Sequence, residues 1–270
     1  MDISVENVTQ IWKSRNGSKV TALDQFSHQF KSGQFSCILG PSGCGKSTLA
    51  QIVGGIEKAT TGTVSIGAAD NPAVTSIGGP SVMVWQSQNL FPWRTVIDNV
   101  AYGLEMAGVS RAERYERARV LIASVGLKGF ESHFPSQLSG GMRQRVALAR
   151  ALILDRPILL MDEPFGALDA QTKIVMQEEL LRIFDETHKT VIFVTHSIDE
   201  AILLGDEVIV MTARPGRIKE VLPVNLPRPR SVEMIGTPEF GALFDHAFHL
   251  IRDEVTKAMA EQNAAAGAKL

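Results

Sequence analysis

Residues 40–48, "GPSGCGKST", set Gly40, Gly43 and Gly45 ahead of Lys46, Ser47 and Thr48. Glycine lets a backbone curl until successive N–H groups face one point, and with Pro41, Ser42 and Cys44 between them these residues make a cradle for an anion. Lys46 adds a cation, and the Ser47 hydroxyl adds an oxygen that can ligate Mg²⁺. The order matches G-x-x-x-x-G-K-[ST], whose chemistry is the holding of nucleotide phosphates. The plainer alternative is a glycine turn that happens to precede a lysine. An apolar strand, "FSCIL", before the loop and a helix-like "LAQIVGG" after it favour the cradle.

A Mg-nucleotide requires a second oxygen ligand, and its hydrolysis requires a group that activates water. "ILLMDEP" ends an apolar strand in Asp162, which could hold the ion directly or through water, and Glu163, which could polarise the attacking water. Adjacent carboxylates are costly to crowd together unless a cation is near. His196 ends a second apolar strand, "VIFVT", and its imidazole could reach the γ-phosphate or Glu163. Gln86 closes "VMVWQ", where its amide could ligate a metal through oxygen or contact water. A second anion site is suggested by "LSGGMRQRVALAR", in which Ser139, Gly140 and Gly141 precede a segment that favours helix and so expose N–H groups of partial positive charge.

These residues need elements to position them. Ile3 to Val8 and Val20 to Phe30 read as strands around the polar loop "KSRNGSK", and residues 62–67 and 81–85 as further strands. From Ser87 to Gly140 the pattern is helical: Ser110 and Glu113 form a capping-box pair, and Tyr115, Ala118, Ile122 and Val125 recur near helical period until Gly126. After Arg150 strands return in alternation with helices, the first of them through Lys173 to Phe184. Such alternation predicts an α/β fold with a mostly parallel sheet and helices on both faces. From Ser231 a tail begins, with a helix from Thr237 and Pro238 placing Phe240, Leu243, Phe244, Ala247, Ile251 and Val255 on one face. Its alanine-rich end is expected to fray.

The bulk properties agree with one main domain. The chain has 270 residues, 44% of them hydrophobic and 21% charged, and a net charge of -2 that argues against nucleic acid as a partner. No apolar run approaches the roughly 18–20 residues that span a bilayer, and the first residues lack a signal-peptide core, so the expected place is the cytoplasm. Cys37 and Cys44 read as reduced thiols, and His246 and His249 as solvated surface rather than zinc ligands.

Taken in order, the phosphate loop, Gln86, "LSGGM" (138–142), "ILLMDE", "GALD" (166–169) and His196 resemble the motifs of ABC ATPases from near the N-terminus to about Arg230. The resemblance implies a P-loop NTPase fold of ABC type over residues 1–230. That unit has an N-terminal antiparallel β-subdomain and an inserted helical subdomain, 87–140, ending at the signature motif; 231–270 form a short helical extension. It implies ATP and Mg²⁺ as cofactors, with Ser47, Gln86 and Asp162 at the metal, Glu163 as general base, and His196 holding the γ-phosphate. Trp12 takes the place of an aromatic residue that stacks on adenine, the alternative being a tryptophan packed on the β-subdomain. Two copies would dock head to tail, so that Ser139, Gly140 and Gly141 face ATP held by the other copy and Asp169 acts across the boundary. Further implied partners are transmembrane permease subunits, received near Asn89 to Asn99, and indirectly a periplasmic or lipid-anchored solute-binding protein. The implied location is peripheral, on the cytoplasmic side of the cell membrane.

"ARPGRI" (213–218), "LPRPR" (226–230) and Met142 resemble the ATPases of nitrate, taurine, aliphatic-sulfonate and bicarbonate uptake. The rival classes are an exporter or lipid-transport ATPase and a soluble ABC ATPase without a transport role. Met142 stands where glutamine is commoner, and it leaves open whether a polar contact is lost there or supplied by Arg143 or Gln144.

Overall fold

The computed structural model describes residues 1–13, 17–67 and 79–267, with side chains to residue 259. The chain runs β1 (Ile3–Lys13), β2 (Lys19–Phe30), β3 (Phe35–Leu39), α1 (Lys46–Val53), β4 (Thr61–Ile66), β5 (Ser81–Val84), α2 (Val96–Met106), α3 (Arg111–Ser124) and α4 (Gly140–Leu152). It continues through β6 (Ile158–Asp162), α5 (Ala170–Thr187), β7 (Thr190–Thr195), α6 (Ile198–Leu204), β8 (Glu207–Met211), β9 (Ile218–Pro223) and α7 (Pro238–Gly267).

Two sheets result. One is antiparallel, in the order β2-β1-β4; the other runs β5-β6-β7-β3-β8-β9, parallel except for the last pair. Residues of β3, β6 and β7 are buried on both faces, which is why these strands read as unbroken apolar runs. Their side chains still divide with period two. Ile38, Leu160, Ile192 and Ile209 pack with α1 and the small sheet, whereas Cys37, Met161, Phe193 and Val208 pack with helices α2 to α7 on the opposite side. Both cysteines are buried and free, and burial pushes each thiol up from its usual range.

Local signals set the helix starts. Ser110 caps α3 by accepting from the Glu113 N–H, and α5 begins three residues before Lys173 because Asp169 accepts from the Thr172 N–H at 3.0 Å. Three other elements differ from the sequence expectation. β1 continues through Trp12, paired with Val20, where the sequence suggests a strand only to Val8. β9 forms a strand from "IKEVLP", a short mixed segment that gains its ladder by lying antiparallel along β8. α7 runs through the alanine-rich segment to Gly267, as alanine's high helix propensity permits, instead of ending early. Part of the loop "KSRNGSK", residues 14–16, lies outside the described residues. Among those described, no helix is long and apolar enough to cross a membrane.

The "LPRPR" segment serves the fold. Arg228 pairs with Asp185 at 3.0 Å and Asp206 at 2.8 Å and lies over the Phe184 ring, while the buried Arg230 donates to Ile202 O at 3.3 Å and Leu203 O at 3.2 Å near the end of α6 and to Val224 O, just after β9, at 3.2 Å. Burial, reinforced by the neighbouring Arg228 charge, pushes the Arg230 guanidinium down to about 10. Arg230→Ala leaves several buried carbonyls without a donor, at a cost of about 2–4 kcal/mol. A thermal melt is expected to fall by roughly 5–12 °C. An unchanged midpoint would show that the clamp contributes nothing.

Candidate functional site

Because β5, β6, β7 and β3 are parallel, the residues at their C-terminal ends emerge at one edge of the sheet, where α/β proteins bind ligands. Gln86 comes just after β5, Asp162 ends β6, His196 comes directly after β7, and the glycine loop leaves β3. Glu163 donates its N–H to Val194 O at 3.0 Å and has φ 46°, in the left-handed region that side chains disfavour. There its Oε2 lies 3.1 Å from Gln86 Nε2 and 3.3 Å from His196 Nδ1. Three side chains drawn from three strand ends thus meet at one carboxylate oxygen. A strained backbone at a carboxylate is a mark of functional sites.

The phosphate loop enters α1 through Gly45, whose φ of 107° and the approach of Ala22 O, 2.7 Å from any added Cβ, leave room for glycine alone. Lys46 is 5% exposed, and its ammonium donates to Gly40 O at 2.7 Å and Pro41 O at 3.0 Å. Ser47 Oγ donates to Asp162 Oδ1 at 2.8 Å. Burial pushes the Asp162 carboxyl above its ordinary range, with the Glu163 charge adding to the rise and the Ser47 hydrogen bond opposing it. Among the described residues Asp162 has no ion pair. A buried carboxylate beside a hydroxyl, without a cation of its own and with few other protein oxygens, is a donor set that fits Mg²⁺, an ion that keeps most of its ligands as water and phosphate.

Trp12, Ser42, Gly43, residues 45–48, Gln86 and Glu163 line a cleft of about 360 Å³, which Val20, Ala22 and Arg214 complete. Trp12 is 40% exposed at that cleft. Gly40, Pro41 and Cys44 are buried within the loop, and Asp162 lies beneath Ser47. Ser139, Gly140 and Gly141 do not line the cleft. They open α4, where Ser139 Oγ accepts from the Met142 N–H at 3.2 Å and the side chain remains exposed. Of the two candidates for a polar contact in place of Met142, Gln144 is buried and Arg143 donates back to Leu138 O at 2.7 Å.

Several supporting residues escape sequence reading. Glu200, 5% exposed on α6, accepts from Thr195 Oγ1 and pairs with Lys173 of α5 at 2.7 Å, so it holds the turn bearing His196 against the helix capped by Asp169. Its sequence signal is a capping box with Ser197, yet its carboxylate is used elsewhere. Arg150 donates to Gln88 O at 2.9 Å and Asn89 O at 2.8 Å, hanging the segment after Gln86 on α4. The fully buried Asn99 bonds Phe91 N–H and the carbonyls of Phe91, Arg94 and Thr95, and Trp93 on that turn is 72% exposed. Beside it is a groove of about 410 Å³ lined by Trp85, Tyr102, Met106 and Arg150 among others.

A phosphate loop facing a strand-end carboxylate that also meets a glutamine and a histidine is the equipment of a nucleoside triphosphatase. Residues 23–166 match the ABC transporter family, and the chain belongs to it as an ATP-hydrolysing transport ATPase. It is 48% identical to an uncharacterized ABC transporter ATP-binding protein of Methanocaldococcus jannaschii, over 95% of this chain and 94% of that one. Identity is 48% with a taurine import ATP-binding protein of Rhizobium johnstonii, over 80% and 81% of the two chains. It is 38% with a nitrate import ATP-binding protein of a Synechocystis strain, over 95% and 97%. A bacterial ABC transporter cassette solved as a dimer superposes with a TM-score of 0.74 at 35% identity, covering 83% of this chain and all of that one.

Proposed function

We propose that this chain is the ATPase subunit of an importer for a small anion of the taurine, sulfonate or nitrate kind. The observation that carries the ATPase chemistry is the meeting of Gln86, Glu163 and His196 beside the phosphate loop. Lys46 and the loop N–H groups hold the β- and γ-phosphates, and Trp12 offers a ring to the adenine. Glu163 accepts a proton from the water whose oxygen bonds the γ-phosphorus as the bond to the ADP oxygen breaks, while His196 and Gln86 hold the γ-phosphate and that water in place. Asp162 and Ser47, with Gln86 near, would hold Mg²⁺, which would compensate charge on the phosphate oxygens.

In this reading residues 1–230 form the ATPase unit, 87–140 its helical insert and 231–270 an extension. Two copies dock head to tail, and the Ser139-Gly140-Gly141 turn of one closes the cleft of the other. Support for this comes from an exposed helix start apart from the chain's own cleft, together with the dimer seen in the related cassette. The groove beside Trp93 receives a permease subunit, placing the chain at the cytoplasmic face of the membrane, with a solute-binding protein on the far side. The "ARPGRI" and "LPRPR" segments and the relatives of 48% and 38% identity favour the importer class.

Uptake of labelled taurine, an alkyl sulfonate and nitrate, measured in cells with the gene deleted and then restored, tests the assignment. Restored uptake of one of them by the native chain and not by Lys46→Ala is expected. Intact ATP hydrolysis with uptake of all three unaffected by deletion would overturn the solute class and leave the ATPase standing.

A further inference from the structure

The "ARPG" stretch joins β8 to β9 and is pressed against the phosphate loop. Gly216 donates to Ala22 O at 2.9 Å and accepts from the Asp24 N–H at 3.0 Å, and a Cβ at this position would lie 2.0 Å from Cys44 O. Only glycine permits so close an approach. Two residues earlier, Arg214 donates from Nε and a terminal nitrogen to Gly43 O at 3.1 and 3.0 Å. Arg214 is exposed, lines the same cleft as Lys46 and Ser47, and has no carboxylate partner among the described residues. A guanidinium that bonds only a neutral carbonyl keeps its full charge and its remaining donors for an anion.

The loop is also held from behind. The Ala213 N–H donates to Glu254 Oε2 at 2.9 Å, and the other oxygen of that carboxylate pairs with Lys219 at 2.9 Å and Lys257 at 3.1 Å. Glu254 is 2% exposed on α7, and Lys219 donates in addition to Leu250 O at 2.9 Å on the same helix. An unbroken series of contacts therefore runs from the C-terminal helix through Ala213 and Arg214 to Gly43.

We propose that Arg214 is a nucleotide-binding residue that supplies a second cation to the phosphate chain, and that Glu254 is the positioning residue that sets its loop from the C-terminal helix. The inference rests on the nucleotide reading of the cleft. It gives the tail a part in nucleotide affinity, and it gives "ARPG" a purpose in this chain beyond a turn.

Binding of MgADP to the full chain, by titration calorimetry at two salt concentrations, tests it without turnover. Arg214→Ala is expected to raise Kd about 5–20-fold and to flatten its salt dependence, since the contact is charge-assisted. Arg214→Gln keeps a donor for Gly43 O and loses the charge, so it should weaken binding as much as alanine. Wild-type affinity in the glutamine variant would overturn the charge contact. Glu254→Ala should raise Kd about 2–5-fold and add nothing in the Arg214→Ala background, whereas Glu254→Gln, which keeps an acceptor for Ala213, should bind like wild type. Additive losses would overturn the positioning role. In the unaltered chain, MgADP should slow amide exchange across residues 213–216, and unchanged exchange there would count against the proposal even where the Glu254 variants fail to fold. Lys46→Ala separates the two readings. Loss of binding in it alone sinks only the Arg214 contact, and binding retained in both sinks the cleft assignment as well.

Discussion

Glu163→Gln is expected to hold ATP at least as tightly as the native chain while hydrolysing it about 10²–10⁴-fold more slowly, the range for removal of a general base. Glutamine matches glutamate in shape, so the left-handed turn at this position and the approach to Gln86 and His196 are preserved. The proposed acceptor for the water proton is lost. The negative charge beside the γ-phosphate disappears with it, which favours the ATP-bound dimer over the open form. Equilibrium binding, steady-state phosphate release and sedimentation together read the three effects. Turnover at the native rate would remove Glu163 from the base role, whatever the binding.

Mixing Ser139→Arg subunits with Lys46→Ala subunits gives the second large effect. Each variant alone is expected to show almost no hydrolysis, because one blocks the signature turn on both copies and the other removes the cation that holds phosphate in both clefts. A head-to-tail heterodimer pairs the intact cleft of one subunit with the intact turn of the other, and random pairing makes about one quarter of all sites whole. Activity rising from near zero toward that fraction upon mixing identifies a shared site. Full activity in either variant alone, or no rise on mixing, contradicts it.

The strand ends were legible because burial on both faces forces apolar runs, as in "FSCIL" and "ILLMD", and a polar residue that terminates such a run stands out. The cap at Ser110 was legible from its pairing with Glu113, whereas the cap at Asp169 was not read as one and α5 begins earlier than expected. β9 carried no such signal. Its ladder is supplied by β8, and a short mixed segment shows no pattern by itself. Arg214 was legible only as part of a segment shared with uptake ATPases. Its contact with Gly43 spans 171 positions, a distance at which residue spacing says nothing. Glu200 and Asn99 were hidden for a related reason. A buried polar side chain is recognised by the partners it satisfies, and those are fixed by tertiary structure.

α4 has thirteen residues, a rod of about 20 Å. Ser139 heads it, and Arg150 near its foot grips the carbonyls of Gln88 and Asn89. In the proposed dimer the head answers to a phosphate owned by the neighbour, while the foot carries the segment that leads from the chain's own Gln86 to the groove beside Trp93. In that proposed arrangement each subunit would take its cue from its neighbour's fuel and pass it, along a single stiff lever, to its own groove beside Trp93. Two such levers related by the proposed twofold axis would keep the halves of the machine in step without any separate clock.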